Sequence, residues 1–579
     1  MKKRGLSLFL ALALCLTLLP AAAFANGESE TSTLHTHYLC GNAEACSHVG
    51  GHSEDSKTTF ATAITQDENG YVWVGDGTQE QPYQCVLSNG GTYYLDSNLV
   101  LKGPSALNKV GCIYIDSDVT LCLNGHTITI IDDRDAFDIR KSMESNPPTL
   151  TLTDCKNSGQ ITHGTTTGGT KYLGNGVSLH QSCNFIMYGG SITGNTTTGG
   201  ENTTWRSGGV WVRDNSTFTM YGGSITNNTT VWNGGGVYVG DSGKFYMHGG
   251  EISGNNASSN SGSSGGGVHI SSGSTFTMTG GSITGNNAGN GGGVYVGSDV
   301  GYGNSILTLS GAVQIKDNVC NGTKGSNGNY SGGTTSNVYL RSGKTITIGT
   351  NHLSSDASIG VTTQNLPTNE DIAIATGANL DDKQYFHSDT DENYLFYVTS
   401  DGRICMTAAN VHDHPICGAS CQDGSSHKSE TWQPIGSAEE LTAIQNGGCY
   451  YLTDDVTLSG RNVWAPPSDT FLCLNGHTIT SAAGTSTIAV GNGVNFILTD
   501  CKGSGKITHE SSDAVGCGVK VIGSFTMYSG SITGNQNYDG GGVRVEGTGS
   551  FTMYGGSIAG NSVSGSGGGV YVSAQDANQ

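Results

Sequence analysis

Charged residues are scarce in this chain of 579 residues, and basic residues are the scarcest. Charged side chains make up 13% of the sequence, with 26 Lys and Arg against 47 Asp and Glu, for a formal net charge of −21. Proteins that bind nucleic acid or anionic membranes neutralise phosphates with a basic surface. The composition therefore argues against nucleic acid as a partner.

Long apolar runs are also rare. After the N-terminus, no stretch of about 20 apolar residues occurs, so we predict no transmembrane segment. The apolar run from Gly5 to Leu19 follows a basic start and precedes Ala23-Phe24-Ala25, the order of a secretory signal and its cleavage site. We predict a signal peptide over residues 1–25 and a secreted or cell-surface protein.

Recognisable catalytic motifs are missing as well. The chain contains no G-x-S-x-G, H-E-x-x-H or P-loop pattern. A glycoside hydrolase needs two carboxylates about 5–9.5 Å apart, whereas the outward positions of this sequence are mostly Thr, Ser, Tyr and Asn. The sequence favours a non-catalytic protein, with a β-helix polysaccharide lyase or glycoside hydrolase as the alternative.

Glycine, in contrast, is abundant, with 91 residues, and it marks a repeat. The phrase G-G-V-x-V, a polar turn, then F-x-M-x-G-G-x-I-x-x-N recurs about every 27 residues. Alternating apolar residues, such as Phe245 and Met247, indicate strands. Three such short strands cannot fold alone and must stack on the next unit. We predict an all-β parallel β-helix of three strands per coil, with the phrase-closing asparagines in a ladder at one corner.

A longer repetition divides the chain into two tandem solenoids. The phrase LCLNGHTIT occurs at Leu121–Thr129 and again at Leu472–Thr480. The second solenoid stops just after another G-G-G-V-Y-V, so we expect it to be incomplete. The predicted segments are a His/Cys-rich segment at 26–60, a first β-helix at 61–345, a β-rich cap at 346–410, a second His/Cys-rich segment at 411–430 and a second β-helix at 431–579.

These repeats resemble those of known proteins. The alternation of G-G-x-[IV] with I/F-x-x-N is similar to the repeats of polymorphic outer-membrane-protein adhesins. The whole pattern resembles the pectin-lyase-like superfamily and the Gly-rich surface proteins of Gram-positive gut bacteria. The resemblance implies a right-handed β-helix and an exported, adhesin-like protein, and it carries over no catalytic residue.

Each predicted solenoid opens with the pattern H-x-H-x-x-C, a short loop, then C-x-x-x-x-x-H. Imidazole and thiolate groups at such spacing suit a structural zinc ion, which takes about four ligands. Small disulfides, Cys40 to Cys46 and Cys417 to Cys421, are the alternative in an oxidising compartment. The candidate metal ligands are His35, His37, Cys40, Cys46 and His52 in the first copy and His412, His414, Cys417, Cys421 and His427 in the second.

Two further cysteine pairs recur in both halves. Cys122 and Cys155, like Cys473 and Cys501, lie about one coil apart, and each cysteine stands six residues before the Ile of a predicted strand. If those strands stack, each pair approaches the separation of a disulfide. We predict two disulfides here, with buried thiols as the alternative.

Aromatic residues recur at two outward positions of the repeat. Such side chains would form columns spaced about 4.8 Å apart, and exposed rings stack on sugar faces. Stacked rings also stabilise a sheet as cross-strand neighbours without any ligand. The candidate glycan-binding residues are Trp211, Tyr238, His269 and Tyr295 in one column and Tyr188 and Tyr221 in the other, which continues at His248 and recurs at Tyr528 and Tyr554.

The sequence as a whole predicts a monomeric, adhesin-like rod that binds glycans or host and neighbour cell surfaces. Weak contacts repeated along a ladder would supply avidity in place of one tight pocket. A structural spacer within a larger surface protein is a further alternative. Structural zinc is the one cofactor that the residues suggest.

Overall fold

The computed structural model is a parallel β-solenoid of about 15 turns, with 49% of residues in strands and 3% in helices. The predicted all-β, repeat-built fold is confirmed. No helix among the residues described here is long and apolar enough to cross a membrane. The structure describes residues 35–40, 57–78, 82–87, 89–103, 111–142, 146–198, 207–257, 262–297, 303–367, 371–390, 394–408, 412–415, 429–459, 463–482, 484–510 and 515–574; the predicted signal peptide lies outside them.

One coil illustrates how the repeated phrase folds. Its strands are Val237–Val239, Lys244–Met247 and Glu251–Ser253, followed by the two-residue strand Asn256–Ala257. Each strand pairs in parallel with the same strand of the next coil, so that identical residues of the phrase stack in register. Repetition in the sequence therefore becomes ladders of like side chains.

Three sheets run along residues 62–408, and their strands are as follows. Sheet 1 contains Thr62–Gln66, Val72–Val74, Gly77–Thr78, Gly91–Leu95, Val119–Cys122, Thr149–Thr153, Asn184–Met187, Thr217–Met220, Lys244–Met247, Thr275–Met278, Ile306–Gly311, Ile346–Leu353, Ile372–Thr376, Tyr394–Val398 and Arg403–Ala408. Sheet 2 contains Leu99–Leu101, Gly111–Ile115, Thr127–Ile130, Asp135–Ile139, Gln160–His163, Val177–Leu179, Ser191–Thr193, Val210–Val212, Ser224–Thr226, Val237–Val239, Glu251–Ser253, Val268–Ile270, Ser282–Thr284, Val294–Val296, Gln314–Lys316, Val338–Leu340, Ser358–Thr363 and Phe386–Ser388. Sheet 3 contains Thr196–Thr197, Thr229–Thr230, Asn256–Ala257, Asn287–Ala288, Val319–Cys320 and Thr334–Thr335.

The strands after residue 432 form four further sheets. Sheet 4 contains Gln433–Ile435, Gly448–Leu452, Thr470–Cys473, Asn495–Thr499, Ser524–Met527 and Ser550–Met553, and sheet 5 contains Val456–Leu458, Thr478–Ser481, Lys506–His509, Ser531–Thr533 and Ser557–Ala559. Sheet 6 contains Ile488–Val490, Val519–Val521, Val543–Gly547 and Val570–Ala574, and sheet 7 contains Gln536–Asn537 and Ser562–Val563.

Three hairpins and two short helices complete the described elements. An antiparallel hairpin precedes each set of sheets: the first hairpin is His35–His37 with Thr58–Phe60, and the second is Asp413–Pro415 with Ser429–Thr431. A third hairpin joins Thr323–Lys324 to Tyr330–Ser331. The helices are the 3-10 helix Leu380–Tyr385 and the α-helix Ala438–Thr442.

The core is a column of stacked apolar side chains. The rings of Phe185, Phe218, Phe245 and Phe276 are fully buried, with successive centroids 4.9, 4.7 and 4.6 Å apart. The stacking follows from register, because each phenylalanine pairs directly with the next. Burying one such side chain contributes about 1.5–3 kcal/mol.

Glycine recurs in the phrase because neighbouring coils approach closely at its corners. Gly250 has a φ of +87°, and a Cβ there would meet the Cε of Met220 at 2.5 Å. A Cβ on Gly235 would meet the carbonyl oxygen of Gly266 at 2.5 Å. Larger residues at these positions would push adjacent coils apart.

A ladder of buried asparagines occupies the predicted corner. Each side-chain amide donates to the Oδ1 of the next asparagine across 2.9–3.0 Å. His163 contacts the first Oδ1 at 2.7 Å, and Asp389 accepts from the last amide at 2.6 Å. The ladder contains Asn195, Asn228, Asn255, Asn286, Asn318 and Asn337, and a shorter one joins His509, Asn535 and Asn561.

Candidate functional site

The first hairpin brings two histidines to the ends of two coils. His35 and His37 alternate on one strand, so both rings project from the same face. Cys122 ends a strand of sheet 1, and Cys155 follows the strand of the next coil, Thr149–Thr153. The four side chains form one group in which every pair of potential ligand atoms lies within 4.8 Å.

The distances within this group are short. The Nε2 atoms of His37 and His35 lie 3.2 and 3.4 Å from the Sγ of Cys122. The two sulfur atoms are 3.6 Å apart, and Cys155 Sγ lies 3.7 Å from His35 Nε2. All four atoms therefore face a common centre.

Neighbouring groups hold the histidine rings in place. The Nδ1 of His37 lies 2.5 Å from the carbonyl oxygen of Tyr38, so this nitrogen donates and the Nε2 lone pair faces the sulfur. The ring of His35 stacks on Tyr94 at 4.5 Å and meets Phe60 edge-on at 5.5 Å. These contacts fix the orientation of both rings before any ligand binds.

The two thiols of the group are electrostatically unequal. The hydrogen bond between them lowers the pKa of Cys155 well below its usual value and raises the pKa of Cys122, and contacts with His35 and His37 add to the lowering. The backbone N–H of Asn124 also donates to Cys122 Sγ at 3.3 Å. Cys155 Sγ lies 3.5 Å from Asn124 Oδ1. The site therefore favours one thiolate.

The same arrangement recurs in the second half of the chain. His412, Cys473 and Cys501 form a group whose potential ligand atoms also lie within 4.8 Å of one another. His412 stacks on Tyr451 at 4.1 Å and meets Trp432 edge-on at 5.7 Å. These two aromatic residues correspond to Tyr94 and Phe60 of the first copy, so the surroundings of the histidine are repeated as well.

The structure combines residues that the sequence had assigned to separate sites. The predicted metal ligands His35, His37 and His412 lie with the cysteines predicted to form disulfides. Cys122 and Cys155 are not bonded, because their sulfurs are 3.6 Å apart whereas a disulfide bond is about 2.05 Å. Cys40 is described but is not part of the group. Cys46, His52, Cys417, Cys421 and His427 lie outside the described residues, as does the side chain of His414.

The first aromatic column stacks from Tyr238 to Tyr339, and two of its rings, Tyr238 and His269, are buried. Tyr238 and His269 are 5% and 4% exposed, which corrects the expectation of outward, accessible rings. Their centroids are 5.1 Å apart, and Tyr295 continues the stack at 4.9 Å. Trp211 is half-buried and carries the guanidinium of Arg213 over its ring at 4.9 Å.

Glycine-rich turns cover this column. A Cβ on Gly240 would meet the ring of Tyr238 at 2.5 Å, so the backbone of the turn lies directly against the ring. The Tyr238 hydroxyl bonds Ser271 at 3.0 Å, and His269 Nδ1 bonds Ser264 at 3.0 Å. The column also extends to Tyr339, which the sequence analysis missed although N-V-Y-L continues the pattern.

The second aromatic column remains half-exposed. Tyr188 and Tyr221 stack at 4.9 Å, and His248 follows at 5.0 Å. Tyr528 and Tyr554 form the corresponding stack in the second half at 5.1 Å, with Tyr554 exposed.

Hydroxyl ladders lie on the strands that follow this column. Ser224 donates to Ser191 at 2.9 Å, and Thr226 donates to Thr193 at 3.1 Å. The surface therefore combines aromatic rings with rows of hydrogen-bonding groups.

Two aspartates of the strand Asp135–Ile139 have structural contacts. Asp135 is buried and accepts from the Asn175 backbone at 2.8 Å and from Ser178 at 2.6 Å. Asp138, also buried, is bound by Arg140 at 2.9 Å. These two carboxylates maintain the packing between coils.

Comparison with known proteins found no match to any family model, curated protein or solved structure.

Proposed function

We propose that the protein is an exported, non-catalytic β-solenoid that displays a binding surface for glycans or for glycan-bearing cell surfaces. The observation that carries the proposal is the half-exposed stack of Tyr188, Tyr221 and His248. Rings repeated at the spacing of the coils suit an extended carbohydrate chain better than a compact ligand.

The geometry supports several weak contacts instead of one tight one. Each of three successive coils adds one ring, and the neighbouring serine and threonine ladders supply hydroxyls for a polar ligand. Because linked sites raise the effective concentration of the next contact, affinity should increase with the length of the ligand. The Tyr528–Tyr554 stack offers a second surface of the same kind.

Binding of the full chain to a glycan array and to intact polysaccharides tests the proposal. We expect saturable retention that strengthens from short oligosaccharides to the polymer. If folded protein, verified by circular dichroism, is retained on no glycan, the proposal is wrong and the stacked rings serve the sheet alone. Release of reducing ends from a retained polysaccharide would instead establish an enzyme.

A further inference from the structure

We propose that His35, His37, Cys122 and Cys155 bind a structural zinc ion, and that His412, Cys473 and Cys501 bind a second one. The two sites are separate from the proposed glycan surface. Each would fasten a histidine-bearing hairpin to the edge of a coil.

The distances of the first group match tetrahedral zinc. With Zn–S bonds of about 2.3 Å and Zn–N bonds of about 2.0 Å, the ligand atoms of a tetrahedral site lie roughly 3.3–3.8 Å apart. Three separations between Nε2 and Sγ atoms are 3.2, 3.4 and 3.7 Å, and the two sulfurs are 3.6 Å apart. Two imidazoles and two thiolates leave no open position, which is typical of structural zinc.

The tautomer and the hydrogen bonds around the group also fit a metal. Histidines that ligate metals donate their other ring N–H to an acceptor such as a backbone carbonyl. His37 does so through Nδ1 to Tyr38, which leaves Nε2 directed at the cysteines. The N–H of Asn124 donates to Cys122 Sγ, as expected beside a ligating sulfur.

Repetition provides an independent argument. His412 has the same stacked tyrosine and edge-on aromatic neighbour as His35, and the Cys501 backbone N–H donates to Cys473 Sγ at 3.4 Å. His414 occupies the central position of the strand Asp413–Pro415, two residues from His412, as His37 is from His35. A disulfide between the cysteines would not explain why histidines recur beside them in both halves of the chain.

Zinc binding would close long loops in the chain. His37 and Cys122 are 85 residues apart in sequence, and His35 and Cys155 are 120 apart. On binding, any cysteine of the pair that is still protonated releases its proton to solvent, and the two resulting thiolates neutralise the charge of Zn²⁺. The closed loops restrict the unfolded chain and so favour the folded one.

The test is the zinc content of the full chain, which is purified without chelator and measured by inductively coupled plasma mass spectrometry. We expect two zinc ions per chain, one for each group. Cys122→Ala and Cys473→Ala should each reduce the content to one, and the double variant to none. Cys112→Ala is the matched control, since this buried cysteine lies outside both groups, and it should retain two.

A second series separates ligand loss from misfolding. His37→Ala should lose one zinc, whereas His37→Cys should retain it and strengthen the near-ultraviolet thiolate-to-metal absorption of the cobalt-substituted protein. The proposal is overturned if folded wild-type protein contains no stoichiometric zinc, if the double variant keeps its zinc, or if peptide mapping of the exported protein finds a Cys122–Cys155 disulfide.

Discussion

The side-chain amide of Asn228 donates to Oδ1 of Asn255 across 3.0 Å, and the backbone N–H of Asn228 donates to the same oxygen across 3.0 Å. Asn255 repeats both bonds toward Asn286. All the amides point the same way, so the ladder presents an oxygen to His163 at one end and N–H groups to Asp389 at the other. A buried polar column is thus satisfied from end to end.

Replacing one asparagine should therefore break more than one bond. Asn255→Ala leaves the backbone N–H and the amide of Asn228 without their acceptor, and each unsatisfied buried group costs about 1–3 kcal/mol. We expect a clearly lower midpoint in chemical denaturation followed by circular dichroism. Asn69→Ala, at an exposed turn, is the control and should leave the midpoint unchanged. Equal midpoints for both variants would contradict a stabilising ladder.

The phenylalanine stack should be the most sensitive part of the core. Phe245→Ala removes a fully buried ring packed between Phe218 and Phe276, and such truncations typically cost 3–5 kcal/mol. Tyr246→Ala, on the outward side of the same strand, should cost much less. Thermal unfolding of both variants measures the difference. A larger loss of stability in Tyr246→Ala would refute the assignment of Phe245 to the core side of the strand.

Burial of His269 should make stability depend on pH. Burial lowers the pKa of this imidazole from 6.5 to about 3, so between these values the unfolded chain binds a proton that the folded chain excludes. The free energy of unfolding should consequently fall as the pH drops from about 6.5 toward 3, by up to about 1.4 kcal/mol for each pH unit. The variant H269Y, matching Tyr238 and Tyr295, should show a flatter pH profile of urea midpoints. H248Y, at a histidine of the half-exposed column, should flatten it less, and identical profiles for wild type and H269Y would disprove the assignment.

Glu440 links the two sets of sheets. This buried carboxylate accepts from the N–H groups of Val398 at 3.1 Å and Gly436 at 2.8 Å, and it also binds Lys383. Glu440→Ala should speed hydrogen exchange at these two amides, because both lose their acceptor. Glu439→Ala, exposed on the same helix, should leave the exchange rates unchanged. Unaltered exchange in Glu440→Ala would show that the junction is held by other contacts.

Much of the fold was predictable because each coil repeats the same short phrase. The alternation of Phe245 and Met247 specified a strand and the side that faces the core. The asparagine that closes each phrase specified the ladder, and neither inference needed long-range information. Burial of Tyr238 and His269 was not predictable from alternation, because it depends on how neighbouring turns such as the one at Gly240 fold over the rings.

The His/Cys groups were harder to predict for a different reason. In the first group the histidines are 85 to 120 residues from the cysteines, while Cys40 and Cys46 lie close to the histidines in sequence and suggested a local site. The signal that was available is the joint recurrence of both patterns, since H-x-H and the paired cysteines occur once in each half. Only the stacked coils of the structure show that the histidines and the cysteines lie side by side.

The proposed function depends most directly on Tyr221, the central ring of the half-exposed column. The decisive measurement is the affinity of wild type, Tyr221→Phe, Tyr221→Ser and the neighbouring control Thr219→Ala for one retained polysaccharide, with unfolding midpoints determined in parallel. We expect Tyr221→Ser alone to weaken binding at least several-fold with little change in its midpoint, because only that variant removes the aromatic ring. Unchanged affinity in Tyr221→Ser would contradict glycan binding by this column.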